Sequence, residues 1–257
     1  MVGFFIKKSF FDGWDNLFSL MLMNVVFIAI FGLGAALPSG LEAPTWLILA
    51  LGALTLAAGS AWWSVCVHSL NAVADFKAFR IADIRASFKA AAVPGLQIGL
   101  FLALVFLIVT TGLPFYLSFG GFLGVLAAGV IFWCGIVVLL ALQYYIPLRS
   151  RLGGGFKKNL RKSFLLFLDN PGFSLFLFLY NLATLILSIF TAGLLPGLAG
   201  IALASDVALR LRLFKYDWLE ANPEANRRKV PWDDLLEEDR ELVGKRTFKG
   251  MFFPWKD

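Results

Sequence analysis

The chain has 257 residues, of which 59% are hydrophobic and only 16% charged, with a mean hydropathy of +0.78. That balance excludes an ordinary soluble domain and a disordered chain, two cysteines exclude a disulfide scaffold, and what fits is a membrane protein. The net charge of +6 comes from cations gathered beside apolar runs, so lipid is the expected surroundings and no nucleic-acid partner is expected.

A bilayer core of about 30 Å needs roughly 20 apolar residues at about 1.5 Å each. Six stretches meet or approach that length, at 17–37, 46–73, 96–115, 119–146, 173–192 and 194–211. They lack the alternation of barrel strands, so the predicted fold is all-α with six membrane helices. Before the first run, Phe4, Phe5, Phe11, Trp14 and Phe18 recur near helical spacing beside Lys7, Lys8 and Asp12. This predicts an interfacial helix with its rings in acyl chains and its charges in water. Asp12 and Asp15 precede a run too long for a signal core, so the first helix reads as a span rather than a cleaved leader.

Residues 1–212 contain 14 Lys/Arg, at positions 7–8, 77–89, 149–162, 210 and 212, all on one side of a six-span arrangement. The opposite connections near Pro38, Pro114 and Pro196 contain none, which predicts that both termini are cytoplasmic.

An internal pattern organises these runs. Lys8-Ser9-Phe10 with Asp15-Asn16 matches Lys162-Ser163-Phe164 with Asp169-Asn170 at the same spacing, and a fainter copy begins at Ala86-Ser87-Phe88. Each copy continues to a Leu-Pro step, where proline is expected to end the outward helix. Residues 1–212 thus read as three helical hairpins starting near 8, 86 and 162, with Ser9, Ser87 and Ser163 capping or turning the introductory segments.

Intramembrane polar residues are the default functional candidates, and here they are Asn24, His68, Asn71, Gln97, Gln143, Asn181 and Asp206. Asp206 stands four residues before Arg210, the spacing of a helical ion pair. Asn24 and Asn181 occupy comparable places in the first and third hairpins, where amides join helices. His68, Cys66 and Cys134 lack ligand spacing, so neither metal nor cofactor is expected. Gly153-Gly154-Gly155 lacks the phosphate-loop pattern and reads as a turn. Ser150 has no evident His/Asp partner for nucleophilic catalysis, so no enzyme is expected.

Residues 213–257 form a charged tail with nine Lys/Arg and ten Asp/Glu. Asn222-Pro223 ends the last helix, and Pro231 opens a short amphipathic helix over 232–243 that Gly244 stops. Its apolar side is Trp232, Leu235, Leu236 and Leu242; its acidic face is Asp233, Asp234, Glu237, Glu238 and Asp239. Beyond it, Lys245, Arg246, Phe248, Lys249, Phe252, Phe253 and Trp255 form a cationic and aromatic ending, suited with Trp232 to a headgroup anchor or a partner pocket.

The Asp15-Asn16-Leu17-Phe18 and Asn24 of the first helix, segment 84–88, and Gln143-Tyr144-Tyr145-Ile146-Pro147-Leu148 followed by Lys162-Ser163-Phe164 resemble the YesL-like bacterial membrane proteins of unknown function. The resemblance covers about residues 5–212; the long tail departs from it. Family members are commonly linked with carbohydrate uptake and polysaccharide use. The resemblance therefore implies an accessory role beside a sugar ABC importer in the bacterial cytoplasmic membrane, with permease or ATPase subunits meeting the loops and tail. The expected function is a non-enzymatic membrane accessory or scaffold; the alternative is a small-solute channel or secondary transporter with Gln97, Gln143 and Asp206 along its path.

Overall fold

A computed structural model describes residues 1–40, 44–227 and 229–246. The described chain is helical, with no strand among the described residues. A short helix α1 (Val2–Asp15) leads into α2 (Leu17–Gly40), which pairs with α3 (Thr45–Ala74). Next come α4 (Ile81–Ser118), α5 (Gly121–Leu142) and the short α6 (Tyr145–Leu152). A second 14-residue helix, α7 (Phe156–Asp169), precedes α8 (Pro171–Ile189) and α9 (Gly197–Ala221). The tail adds α10 (Trp232–Leu235) and α11 (Glu237–Val243).

Five of these are long and apolar enough to cross a membrane: α2, α3, α4, the α5–α6 stretch Gly121–Leu152, and α8. Large side chains stand bare on their outer faces, Phe122 at 79% and Phe190 at 83% exposure, which suits lipid rather than water as the surrounding medium. The expected sixth span, α9, is not among the five. Its first half is enclosed by protein, with Ala199, Ala202, Leu203, Ala204, Val207 and Ala208 buried beside the buried carboxylate Asp206, and its second half carries Arg210, Arg212 and Lys215.

Small residues let helices approach closely where no hydrophobic force favours protein over lipid. On α4, a Cβ at Gly95 would lie 2.6 Å from the Ser60 carbonyl, and one at Gly99 would lie 2.7 Å from Ala57 Cα. These two glycines seat α4 on α3, the most extensive helix pair in the bundle.

The repeated Asp-Asn has a local explanation. Asn16 and Asn170 are the C-caps of α1 and α7, and each Nδ2 donates to the carbonyl four residues earlier, Asp12 at 2.9 Å and Leu166 at 3.2 Å. Each amide satisfies a carbonyl that the helix end would otherwise orphan. The middle copy has Val93-Pro94 instead, with no amide to stop the chain, and its introductory segment runs without a break into α4.

Several expectations are corrected. Pro38 and Pro114 do not end their helices but lie inside the last turns, two and four residues before Gly40 and Ser118. Each ring removes one hydrogen bond and crowds the carbonyl four residues back, yet the helix carries on for two to four more residues. Ser9, Ser87 and Ser163 neither cap nor turn; they are buried mid-helix, and Ser163 Oγ donates to the Asn159 carbonyl at 2.8 Å. Part of α1 departs from the interfacial reading: Trp14 and the following Phe18 are exposed, but Phe4, Phe5, Phe11 and Lys8 are buried in protein. Phe5 is buried against Phe173, Phe176 and Tyr180 of α8, with centroids 5.0–6.0 Å away, while Lys8 and Asp12 pair at 2.8 Å inside the protein.

The α8–α9 turn stops well short of the far end of α2. It is bonded to Asn24, only seven residues into α2, so about 24 Å of α2 still runs beyond it to Gly40.

Candidate functional site

Charged side chains converge where α3, α6, α9 and α11 meet. The carboxylate of Asp206, fully buried on α9, accepts two bonds from Arg151 of α6, Nε to Oδ1 and Nη2 to Oδ2, both at 2.7 Å. Arg151 Nη1 also reaches Asp75, the C-cap of α3, at 3.1 Å. Asp75 in turn pairs with Arg210 Nε at 3.1 Å, and Arg210 forks onto both oxygens of Asp239 on α11, with Nη2 to Oδ1 at 2.8 Å. One chain of alternating charge thus ties three bundle helices to the tail. Buried charges persist only with such complete pairing, because the desolvation of either ion alone costs several kcal/mol.

Asn71 and His68 extend this cluster along α3. With its Nδ2 facing acceptors, Asn71 donates to Asp206 at 3.0 Å and accepts from Ser150 Oγ at 2.7 Å. Ser150 also bonds His68 Nδ1 at 2.9 Å, so the hydroxyl does have a histidine partner, contrary to the sequence expectation. The helices bring together residues 82 apart. Among the described residues no carboxylate bonds His68.

The expected Asp206–Arg210 pair is replaced by longer-range ones. Both residues face other helices, and Arg151 and Asp239 offer bidentate geometry that an i,i+4 pair does not.

Beside this network, Phe76 has a positive φ of 58° in the connection after α3. Its ring lies 3.3 Å from Lys8 Nζ and 5.3 Å from the Arg210 guanidinium carbon. Burial holds the Lys8 ammonium below its usual pKa and the Asp12 carboxyl above its own, against the attraction between them.

A second cluster lies at the α7–α8 junction. Lys215 donates to Asp169 at 2.7 Å and to Asn170 Oδ1 at 2.9 Å, and Tyr216 donates to Asp169 at 2.6 Å. Burial pushes the Asp169 carboxyl up, but the hydrogen bonds from Lys215 and Tyr216, with the Lys215 charge, outweigh it and hold the carboxyl below the usual range. Buried Arg212 donates to Asn170 Oδ1 at 3.1 Å and lies 3.8 Å from the centre of the Phe173 ring.

The remaining intramembrane candidates disperse. Asn24 donates to the Leu194 and Pro196 carbonyls and accepts from Ala199 N at 2.8 Å, closing the turn before α9. Gln143 spans the α5–α6 break, donating to the carbonyls of Leu140 and Ser174 at 2.9 Å. Gln97 is exposed on the outside of α4. Gln97, Gln143 and Asp206 therefore do not line one path. Asn181 is half-buried on α8.

The tail is fastened rather than free. Lys7 Nζ donates to the Gly244 carbonyl at 2.9 Å, and Arg246 pairs with Asp15 at 2.6 Å. Trp232 packs against the bundle, its ring 5.5 Å from Arg212, so it is no outward anchor, whereas Lys245 is exposed. The expected single helix breaks at Leu236, which is buried; Asp239 also turns inward and Leu242 outward. Phe248, Lys249, Phe252, Phe253 and Trp255 lie outside the described residues.

Arg151 and Asp75 escaped the sequence reading as site residues, and Asp239, expected on the acidic outer face of the tail, is buried against Arg210. Arg151 carried a signal, a cation closing a long apolar run, but nothing in one chain's spacing says which carboxylate it meets. No family model, no curated protein and no solved structure matches the chain.

Proposed function

We propose that the protein is a non-enzymatic membrane scaffold or accessory subunit, inserted as three hairpins from the cytoplasmic side with both ends of the chain in the cytoplasm. The observation that carries this reading is the ion-paired seat of the tail on the bundle. Arg210 with Asp239 and Arg246 with Asp15 hold α11 in place, and Asp233 and Asp234 of α10 with Glu237, Glu238 and Glu241 of α11 are exposed. A pre-ordered acidic face loses less entropy on docking than a flexible tail would, and it selects a partner with a basic surface.

The topology has independent support. Contact between α1 and α11 supports a reading in which both ends lie on one side and the chain crosses an even number of times. The chain's cations avoid the opposite turns. In this arrangement all six limbs enter the bilayer, the third pair less deeply than the others. The first partners to test are the permease and ATPase subunits of a carbohydrate ABC importer, the class the sequence resemblance implies.

The test is isolation of the full chain from native membranes with Asp233, Asp234, Glu237 and Glu238 changed to Lys. Loss of a co-purifying partner with unchanged thermal stability is expected. Retention of every partner by this variant would overturn the reading. So would solute flux by the purified protein alone in proteoliposomes that Asp206→Asn abolishes.

A further inference from the structure

The motif shared by α1 and α7 has two different surroundings. Around α1 the tail supplies partners, with Lys7 donating to the Gly244 carbonyl and Asp15 pairing with Arg246. The tail makes no such bond to α7 among the described residues. There Lys157, Lys158, Arg161, Leu165 and Leu168 are exposed and Lys162 is half-buried. At 3.6 residues per turn these six positions fall within about 140° of one helix face. The opposite face is seated in the bundle: Asn159, Ser163 and Leu166 are buried, and the Phe156 ring packs on Phe101 and Tyr145 with centroids 6.2 and 5.6 Å away.

None of the four cations has an ion pair among the described residues. Asp169, the one acid of α7, is already committed to Lys215 and Tyr216. A cationic segment that only orients the chain in the membrane needs charge and nothing more. Leu165 and Leu168, 54% and 66% exposed among those charges, call for a medium that accepts both. The tethers of α7 say which medium. Three residues, 153–155, join it to the α5–α6 stretch and Asn170 alone joins it to α8, and both neighbours are long and apolar enough to cross a membrane. Links that short hold this helix, about 21 Å long, near the depth where hydrocarbon gives way to headgroups.

We propose that the outer face of α7 binds anionic lipid headgroups, with Lys157, Lys158, Arg161 and Lys162 on lipid phosphate and Leu165 and Leu168 among the upper acyl carbons. The interfacial role that composition suggests for α1 thus belongs to the copy of the motif that the tail leaves bare. Charge selects the lipid class, because a zwitterionic headgroup carries its own counter-charge and offers four unpaired cations no net attraction. The start of α4 has the same composition, Ile81 and Phe88 standing exposed beside Arg85 and Lys89. It lies at the same end of the bundle, since Asp75, which closes α3 just before it, is bonded to Arg151 of α6. Two such faces at one end suit a continuous lipid surface better than a compact partner. The inference rests on the membrane placement of α5–α6 and α8, and is independent of what the tail docks.

The test uses the full chain with the exposed thiol removed, Cys134→Ser, and a bimane label on Leu168→Cys, while Cys66 stays buried. Nanodiscs of phosphatidylcholine carry a minority of either brominated phosphatidylglycerol or brominated phosphatidylcholine. Brominated phosphatidylglycerol should quench the label about threefold or more strongly, and high salt should erase the preference. Changing Lys157, Lys158, Arg161 and Lys162 to Gln should also erase it without lowering the melting temperature, because these side chains hold no partner in the fold. A label on Leu179→Cys, exposed on α8, should be quenched equally by both lipids. Equal quenching by the two lipids at Leu168, a preference kept by the fourfold variant, or no quenching at Leu168 while Leu179 is quenched overturns this proposal alone. No quenching at either position overturns the membrane placement with it. Carbodiimide cross-links from Lys157 or Lys158 to Glu237 or Glu238 of a second copy, in place of lipid quenching, would make that copy's acidic tail the occupant and overturn the lipid.

Discussion

The two ends of the third hairpin are held by opposite chemistries. At its open end, α9 is fastened through charge, Asp206 to Arg151 and Arg210 to Asp75 and Asp239. At its turn, the backbone leaves helix among apolar helices and is closed by neutral groups alone: Asn24 on Leu194, Pro196 and Ala199, Ser188 Oγ accepting from Gly197 N, and Thr191 Oγ1 accepting from Leu195 N. Irregular backbone at membrane depth survives only when the protein itself supplies the missing partners. A neutral amide does so without the desolvation cost that a charge would add.

The sharpest way to break the charged end is Arg151→Met. It leaves the Asp206 carboxylate buried with only the Asn71 amide, and a loss of about 3–5 kcal/mol is expected, read as a fall in melting temperature in detergent. Replacing both partners, Arg151→Met with Asp206→Leu, should recover most of it. A single variant as stable as the native chain would mean that the pair contributes nothing.

The neutral end should yield less. Asn24→Leu removes three hydrogen bonds and strands a buried N–H and two carbonyls, for roughly 2–3 kcal/mol. Unlike the effect at the charged end, this loss should not change between low and high salt. Pronounced salt dependence would point to charge where none is drawn.

Asp239→Asn separates the tail from the bundle and should cost about 1–2 kcal/mol locally. Amide exchange in 232–243 should quicken while α3 and α9 stay protected. Uniform loss of protection would instead make α11 part of the cooperative core.

What was legible in the sequence follows the same division. Apolar runs long enough for lipid announce α2, α3, α4, α5 and α8, because length and composition suffice. The Asp-Asn steps after α1 and α7 were visible as a pattern, though their capping role needed coordinates. Depth was not legible. Residues 194–211 read as a span because apolar composition is the same whether a helix faces lipid or is enclosed by protein, and only the bonds to Asn24 reveal where the turn stops. Likewise Lys8 and Lys162 share one motif, yet Lys8 is fully buried and Lys162 only half so, since tertiary packing and not local spacing decides. Of the site, Asp206 and Asn71 were marked as candidates, while their partners came from helices that no spacing connects.

The smallest effect is the most diagnostic of how α1 and α7 differ. Asp169, at the end of α7, is held below its ordinary value of 3.8. As pH falls below that value the unfolded chain takes up the proton first, so its contribution is complete above 3.8 and vanishes through the lower, folded value. Asp12 in α1 has the opposite sign. Burial raises its pKa, so above 3.8 the unfolded chain releases a proton that the folded chain keeps, and stability falls with rising pH through that window. Melting temperatures followed from about pH 6 to about pH 3 should therefore show Asp169→Asn less stable than the native chain at the upper end and converging on it at the lower. Asp12→Asn should do the reverse, gaining on the native chain as pH rises from 3.8. Parallel curves for both would mean that neither carboxylate acts through its charge, and the contrast between the exposed-edge pair of α7 and the enclosed pair of α1 would be one of packing alone.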